Sequence, residues 1–398
     1  MVSPLLTAMI SSSVMILPVV VMVSGCAFFF IKGFEGSRIL PTKRIVASDS
    51  ELNAFMTKAL QPLVDRYKPT WWTNSHIQCI LTFVVPQSPI KYKRDILVLN
   101  DGGQASLDWA LESSVTMNEP LQHDSPIVII LHGLVGCSES MRSLCAEALK
   151  HGYRPVVFNK RGHGGLKLST PKLQAFGCVQ DLMEAIAYVE RTFPKSELFG
   201  VGSSAGAGLL SSYLCELGDM SRLRAGVLIS PGYNAFDLFC GGKINPVYNF
   251  LMTFTLKTFL LRHKSELDQV VNVAGALRAK SIREFDEHVY MKMHGYPDLE
   301  AYWKINNPMR DVDNLKMPFL CINALDDPVC TKDTIPYHEF RRKPNAMLLE
   351  TPEGSHCAFF EGNFFQLKSW CNEVAMTYLD RLREFHAASG LDTSSSSS

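Results

Sequence analysis

Apolar and polar positions change rhythm three times along the chain. No Asp, Glu, Lys or Arg occurs from Met1 to Ile31, and the run from Leu5 to Ile31 is predominantly apolar. About 20 apolar residues cross a hydrocarbon core as a helix, so the pattern predicts a membrane anchor over residues 1–32. A cleaved signal peptide would carry a basic start and a shorter apolar core. Secretion after cleavage is therefore the second reading, behind a single-pass protein of the endoplasmic reticulum or plasma membrane. Lys32, Arg38, Lys43 and Arg44 follow the span, which by the positive-inside rule leaves the body in the cytosol. Residues 33–70 read as a juxtamembrane linker with a short helix.

From Ile77 the rhythm is that of a sheet. "IQCILTFVV" and "DILVLN" are short apolar runs, and "NDGG" (Asn100–Gly103) is a hairpin turn signal. Leu107, Trp109 and Leu111 alternate as in a half-buried strand. "IVIILHG" then opens a series of buried strands separated by helical stretches: "PVVFN", "DLMEAIAYVERTF", "LFGV", "AGLLSSYLCEL", "AGVLIS" and "PFLCINA". Strand alternating with helix implies an α/β body (71–385) with a mostly parallel sheet and helices on both faces.

The alternation stops between Pro231 and Pro308, where "PVYNFLMTFTLKTFLL" is helical in spacing and too short to be read as a second span. Residues 231–308 are expected to be a helical cap inserted over the sheet. A final helix carries Trp370, Val374, Tyr378 and Leu382 on one face, and the serine-rich stretch 386–398 reads as a disordered tail.

Composition adds mainly exclusions. Lys+Arg and Asp+Glu number 39 each, so no net field favours nucleic acid. The eleven cysteines are scattered without zinc spacing. No motif calls for a metal, nucleotide or other cofactor.

The chemistry concentrates in "GVGSSAGAG" (Gly200–Gly208). Gly202-Ser203-Ser204-Ala205-Gly206 fits G-x-S-x-G with Ser204 at its centre, at the carboxyl end of a strand and the start of a helix. Such a turn lifts the central hydroxyl out of the sheet, and close backbone packing demands small residues two before and two after it. "HG" (His132–Gly133) ends an earlier strand, so the N–H groups of Leu134 and Ala205 are the expected oxyanion hole. In the order Ser, Asp, His, "NALDDPV" supplies Asp327 as acid, with Asp326 bracing the loop, and "TPEGSHCAFF" supplies His356 as base. His132 and His163 are expected to be structural.

"HGLVGCSES", "GYRPVVFNKRGHGG", "GSSAGAG", "NALDDPVC" and "GSHCAFFEG" together resemble the membrane-anchored α/β-hydrolase-domain family that includes the YheT-like esterases, from about Pro69 to Phe385. Ser355 stands where many relatives carry a second glycine. The resemblance implies an α/β-hydrolase fold with an N-terminal transmembrane helix, and a Ser204–Asp327–His356 triad acting on acyl-ester lipid substrates at a membrane. A branch of the family is associated with control of lipolysis. The alternative to a lipid esterase is thus a catalytically weak or inactive regulator working through a protein partner.

Overall fold

The computed structural model describes residues 43–70, 74–117, 119–363 and 366–389. The anchor expected over 1–32 lies outside the described residues. Among them, no helix is long and apolar enough to cross a membrane.

The body begins earlier than the sequence pattern indicates. Strand β1 (Arg44–Ala47) pairs antiparallel with a strand three hundred residues on, Arg44 opposite Glu350. Helix α1 (Glu51–Arg66) is capped by the Ser50 hydroxyl, which accepts the Asn53 N–H, and buries Met56, Leu60 and Val64. Those three are spaced by four, the stripe of a docked helix. The part of 33–70 from Lys43 onward therefore belongs to the folded body rather than to a linker. The run "IQCILTFVV" is also corrected. It lies in helix α2 (Ser75–Val84), started by the Asn74 side chain on the Ile77 N–H. A short apolar run suits a buried helix as well as a strand, and here the cap decides.

The hairpin β2 (Tyr92–Val98) and β3 (Gln104–Ala110) turns at the expected place, with Gly102 at φ +80. β3 is buried along most of its length rather than on one face, with Leu107 and Trp109 packed in a core on one side and Ser106 and Asp108 hydrogen-bonded to Asn159 and Ser138 on the other, and it leads into the next elements. These are β4 (Ile127–Leu131), α3 (Arg142–Lys150), β5 (Arg154–Asn159), α4 (Gln180–Thr192), β6 (Leu198–Ser203), α5 (Ala205–Leu217) and β7 (Ala225–Ile229). The longer helices between β7 and the following strand are α6 (Pro246–Arg262), α7 (Ile282–His288) and α8 (Leu299–Asn306). Then come β8 (Phe319–Ala324), β9 (Ala346–Thr351) and α9 (Trp370–Ala388).

The main sheet has nine strands in the order β1-β9-β8-β7-β6-β4-β5-β3-β2. Pairings from β5 through β9 are parallel; β1 and the β2–β3 hairpin are antiparallel additions at the two edges. Alternate residues of β4 enter two separate cores. Val128 and Ile130 pack with α1, α3 and α9, while Ile127, Ile129 and Leu131 pack with α4 and α5. A strand buried on both faces needs this continuous apolar run. A third core, around Leu256, Phe285 and Trp303, is built mainly by the helices between β7 and β8 and takes in Cys79, Leu173 and Val329 of the body beneath them.

Candidate active site

The carboxyl ends of β6, β8 and β9 lie near one another at one rim of the sheet, where ligands of open α/β folds bind. At the end of β6 the chain reverses at Ser204, whose φ of 54 and ψ of −119 are strained for a residue with a side chain. Its N–H donates to the Ile229 carbonyl at 2.9 Å, tying the turn to β7. The flanking glycines are sterically required. A Cβ on Gly202 would lie 2.5 Å from the Gly206 carbonyl oxygen, and one on Gly206 would lie 2.2 Å from that of Leu131. Gly206 thus meets the end of β4 itself, so the elbow and the loop after β4 are locked together.

Ser204, Asp327 and His356 come together. Ser204 Oγ lies 2.7 Å from His356 Nε2, and His356 Nδ1 lies 2.9 Å from Asp327 Oδ2. The turn after β8 aims the carboxylate. Asp327 Oδ1 accepts the N–H groups of Val329 at 2.8 Å and Cys330 at 2.9 Å and also lies 3.1 Å from His356 Nδ1, so Oδ2 makes the shorter contact to the ring. Asp326 has a different task. Its Oδ1 accepts the N–H groups of Gly354 and Ser355 at 3.0 and 2.8 Å, bracing the loop that carries His356. Ser355 adopts φ +57, the region that favours glycine, and its hydroxyl is anchored on the Ser75 carbonyl. Burial opposes charge on His356, but the Asp327 carboxylate outweighs it and holds the imidazole well above its ordinary value. Burial pushes the Asp326 carboxyl up to about 7.

The N–H groups of Leu134 and Ala205 make no hydrogen bond to protein among the described residues, and both residues line one pocket. Ala205 opens α5, whose first N–H groups and positive end are free for an anionic oxygen. His163 sits between the carbonyls of Arg161 and Leu134, at 2.9 and 3.2 Å, and so fixes the loop bearing the Leu134 N–H. Burial holds its pKa down to about 3, so the neutral ring carries one proton, donates to one of the two carbonyls and packs against the other. His132 is likewise buried, with Nδ1 against the Gly133 carbonyl. Arg161 and Asp181, both buried and paired through two nitrogens at 2.6 and 2.8 Å, brace the same turn.

Three groups near the site were not singled out by sequence reasoning. Lys160, half-buried, lines the pocket, and burial brings its pKa down to about 8. Cys330 stands beside His356: ligand atoms of Asp327, Cys330 and His356 lie within 4.8 Å of one another. A metal there would have to displace the Asp327–His356 pairing. Asp286, on α7, also lines the pocket. It had a readable signal, since it falls four residues after Ile282 on the stripe continued by Phe285 and Val289, all three buried. The pocket walls are otherwise largely apolar, with Leu209, Phe176, Phe239 and Trp303, and its free space is about 40 Å³, room for a few waters.

The chain matches the family model described as "alpha/beta hydrolase fold" over residues 126–363. It is 33% identical over 323 residues to Protein ABHD15 of Homo sapiens, covering 79% of this chain and 68% of that protein. It is 29% identical over 377 residues to phospholipase ABHD3 of Bos taurus, covering 91% of each. It is 27% identical over 365 residues to monoacylglycerol lipase ABHD2 of Homo sapiens, covering 84% of each. By the extent of the family match and by these full-body similarities, the chain belongs to the alpha/beta hydrolase fold family, among its α/β-hydrolase-domain proteins.

Proposed function

We propose that this chain is a membrane-anchored serine hydrolase cleaving acyl esters of lipids, with residues 1–32 as anchor and residues 231–308 as cap. The observation that carries the reading is the unbroken relay from Ser204 Oγ through His356 to Asp327, at 2.7 and 2.9 Å, on a strained elbow. His356 takes the Ser204 proton as Oγ attacks the ester carbonyl, and Asp327 stabilises the imidazolium. The carbonyl oxygen gathers charge facing the N–H groups of Leu134 and Ala205. His356 then protonates the departing alcohol, leaving an acyl-enzyme. A water, giving its proton to His356, attacks that ester and releases the acid and Ser204. The apolar walls suit an acyl chain, and two relatives are named for cleaving lipids.

A second reading is a regulator that binds a protein partner and turns over slowly or not at all. The small free space of the pocket, about 40 Å³, favours it, since an acyl chain enters only if the cap moves. A fluorophosphonate probe separates the two. Labelling of the wild-type chain that disappears in Ser204→Ala supports the hydrolase, and a folded wild type that stays unlabelled supports the regulator. Release of fatty acid from monoacylglycerol and phospholipid vesicles then ranks the substrates.

A further inference from the structure

Helix α6 is apolar on two opposite faces, and the fold covers one of them. Leu256, Phe259 and Leu260 are buried in the third core. Leu256 lines the catalytic pocket, and the ring of Phe259 stands 4.4 Å from that of His163. On the far side Val247, Phe250, Phe254 and Leu261 are exposed, Phe250 by 50% and Leu261 by 51%. With 3.6 residues per turn, these four fall within an arc of about 60°. They form one stripe along the helix, and a contiguous exposed apolar patch marks an interaction surface.

Two features choose the occupant. Lys257 and Arg262 lie to either side of the stripe, and α6 carries no acid. An apolar stripe edged by bases is the pattern of a helix lying in a bilayer interface, its cations reaching for lipid phosphates. The second feature is the chain outside the described residues. Its apolar run stops at Ile31 and the described body starts at Lys43, a connection of at most about 40 Å. The Lys43 amine donates to the Tyr67 carbonyl at 2.6 Å. From Tyr67 to Ser75, where α2 begins, is at most about 30 Å of chain. His76 of α2 then meets Tyr248 of α6, with Nδ1 2.9 Å from the hydroxyl and the rings 5.7 Å apart. With the apolar run in a bilayer, the stripe lies within the tether's reach of its surface.

We propose that the outer stripe of α6 seats the body on the bilayer surface, so that this helix has lipid against one side and the catalytic pocket against the other. A helix with its side chains is about 10–12 Å thick, which sets the separation between the lipid and the pocket wall at Leu256. The proposal rests on the anchor reading for residues 1–32 and adds the face that the body turns to the membrane.

The test uses the full chain in liposomes of phosphatidylcholine and phosphatidylserine with brominated acyl chains. A fluorescent amino acid replaces Phe250 or, as reference, Met220, which is exposed beyond the end of α5 remote from the elbow. Emission at position 250 should fall to about half or less by contact with the acyl chains, and emission at 220 should not change. Equal quenching at both positions, or none at 250, overturns the seat. A position 250 that is shielded yet unquenched carries a protein partner or a second copy, which overturns it too. Phe250→Glu combined with Leu261→Glu should slow hydrolysis of monoacylglycerol in liposomes about tenfold and leave a short soluble ester hydrolysed at the wild-type rate. An unchanged rate on liposomes, or an equal loss on both esters in a folded variant, overturns the seat. Should that variant fail to fold, the quenching comparison decides alone. Should alkaline carbonate strip the wild-type chain from liposomes, the anchor reading fails. The seat is then decided by flotation: binding by the wild type and not by the double variant supports it, and binding by both or by neither overturns it.

Discussion

Replacing Asp327 by Asn tests the relay at its least replaceable atom. Asp327 Oδ1 already accepts two backbone N–H groups, from Val329 and Cys330. In Asp327→Asn the amide oxygen keeps those bonds, because only an acceptor satisfies them. The amide nitrogen must then occupy the place of Oδ2, 2.9 Å from His356 Nδ1. It donates there, and the amide oxygen, 3.1 Å from Nδ1, is already engaged by two N–H groups, so the favoured tautomer has a bare Nδ1 and its proton on Nε2, 2.7 Å from Ser204 Oγ. The base now presents a proton where it should accept one. The corresponding substitution in a serine protease lowers kcat by about 10⁴, about 5 kcal/mol of barrier, and the same loss is expected here with little change in melting temperature. The assay is the rate of fluorophosphonate labelling and of short-chain ester hydrolysis, measured beside a thermal melt. The sign of the pH dependence follows. His356 works only when neutral, and Asp327 holds its proton on, so wild-type activity should rise with pH through a midpoint above 6.5. Without the carboxylate, burial opposes the charged ring with less to offset it, and the midpoint should fall. A folded Asn variant within tenfold of wild type refutes the tautomer reasoning.

Three further outcomes are expected. Gly206→Ala forces a Cβ against backbone at 2.2 Å; it should destabilise the fold by about 1–3 kcal/mol and slow probe labelling about a hundredfold as the oxyanion loop shifts, both read on one preparation. Asp326→Ala leaves the N–H groups of Gly354 and Ser355 without their acceptor. It should cost about 1–3 kcal/mol by chemical denaturation and lower kcat more than it raises KM. His151 is held up to about 9 by Asp380 and then Glu147, joining α3 to α9. A raised folded-state value means that its stabilisation is full below pH 6.5 and is lost as pH climbs through about 9. The melting temperature should decline across that window in wild type and stay flatter in His151→Gln.

The parallel sheet, its order of strand and helix, and the positions of Ser204, Asp327 and His356 were all readable, because each rests on local signals. Buried strands are continuous apolar runs, the elbow needs glycines at two spacings, and Asp327 and His356 each follow a strand in the loop that brings them to Ser204. Which of Asp326 and Asp327 faces His356 was readable too, from the Asp-Pro step. What escaped depends on distant packing. β1 has four residues and acquires its meaning only from β9. The run "IQCILTFVV" carries no period that distinguishes helix from strand, and its identity hangs on Asn74. Asp286 could have been flagged as an acid on an apolar stripe, but its closeness to the pocket is set by how the helices between β7 and β8 fold back over the rim.

The pairing of β1 with β9 also governs when the molecule can be finished. Arg44 meets Glu350 across 306 positions of chain, and Leu63 receives the indole N–H of Trp370. At roughly 5–20 residues per second of synthesis, the first strand and helix wait on the order of 15–60 s for their partners to leave the ribosome. Throughout that interval Met56, Leu60 and Val64 lack the cover that α9 gives them. The earliest-made part of the body is among the last to be sealed, which makes it a natural handle for a holdase during biogenesis.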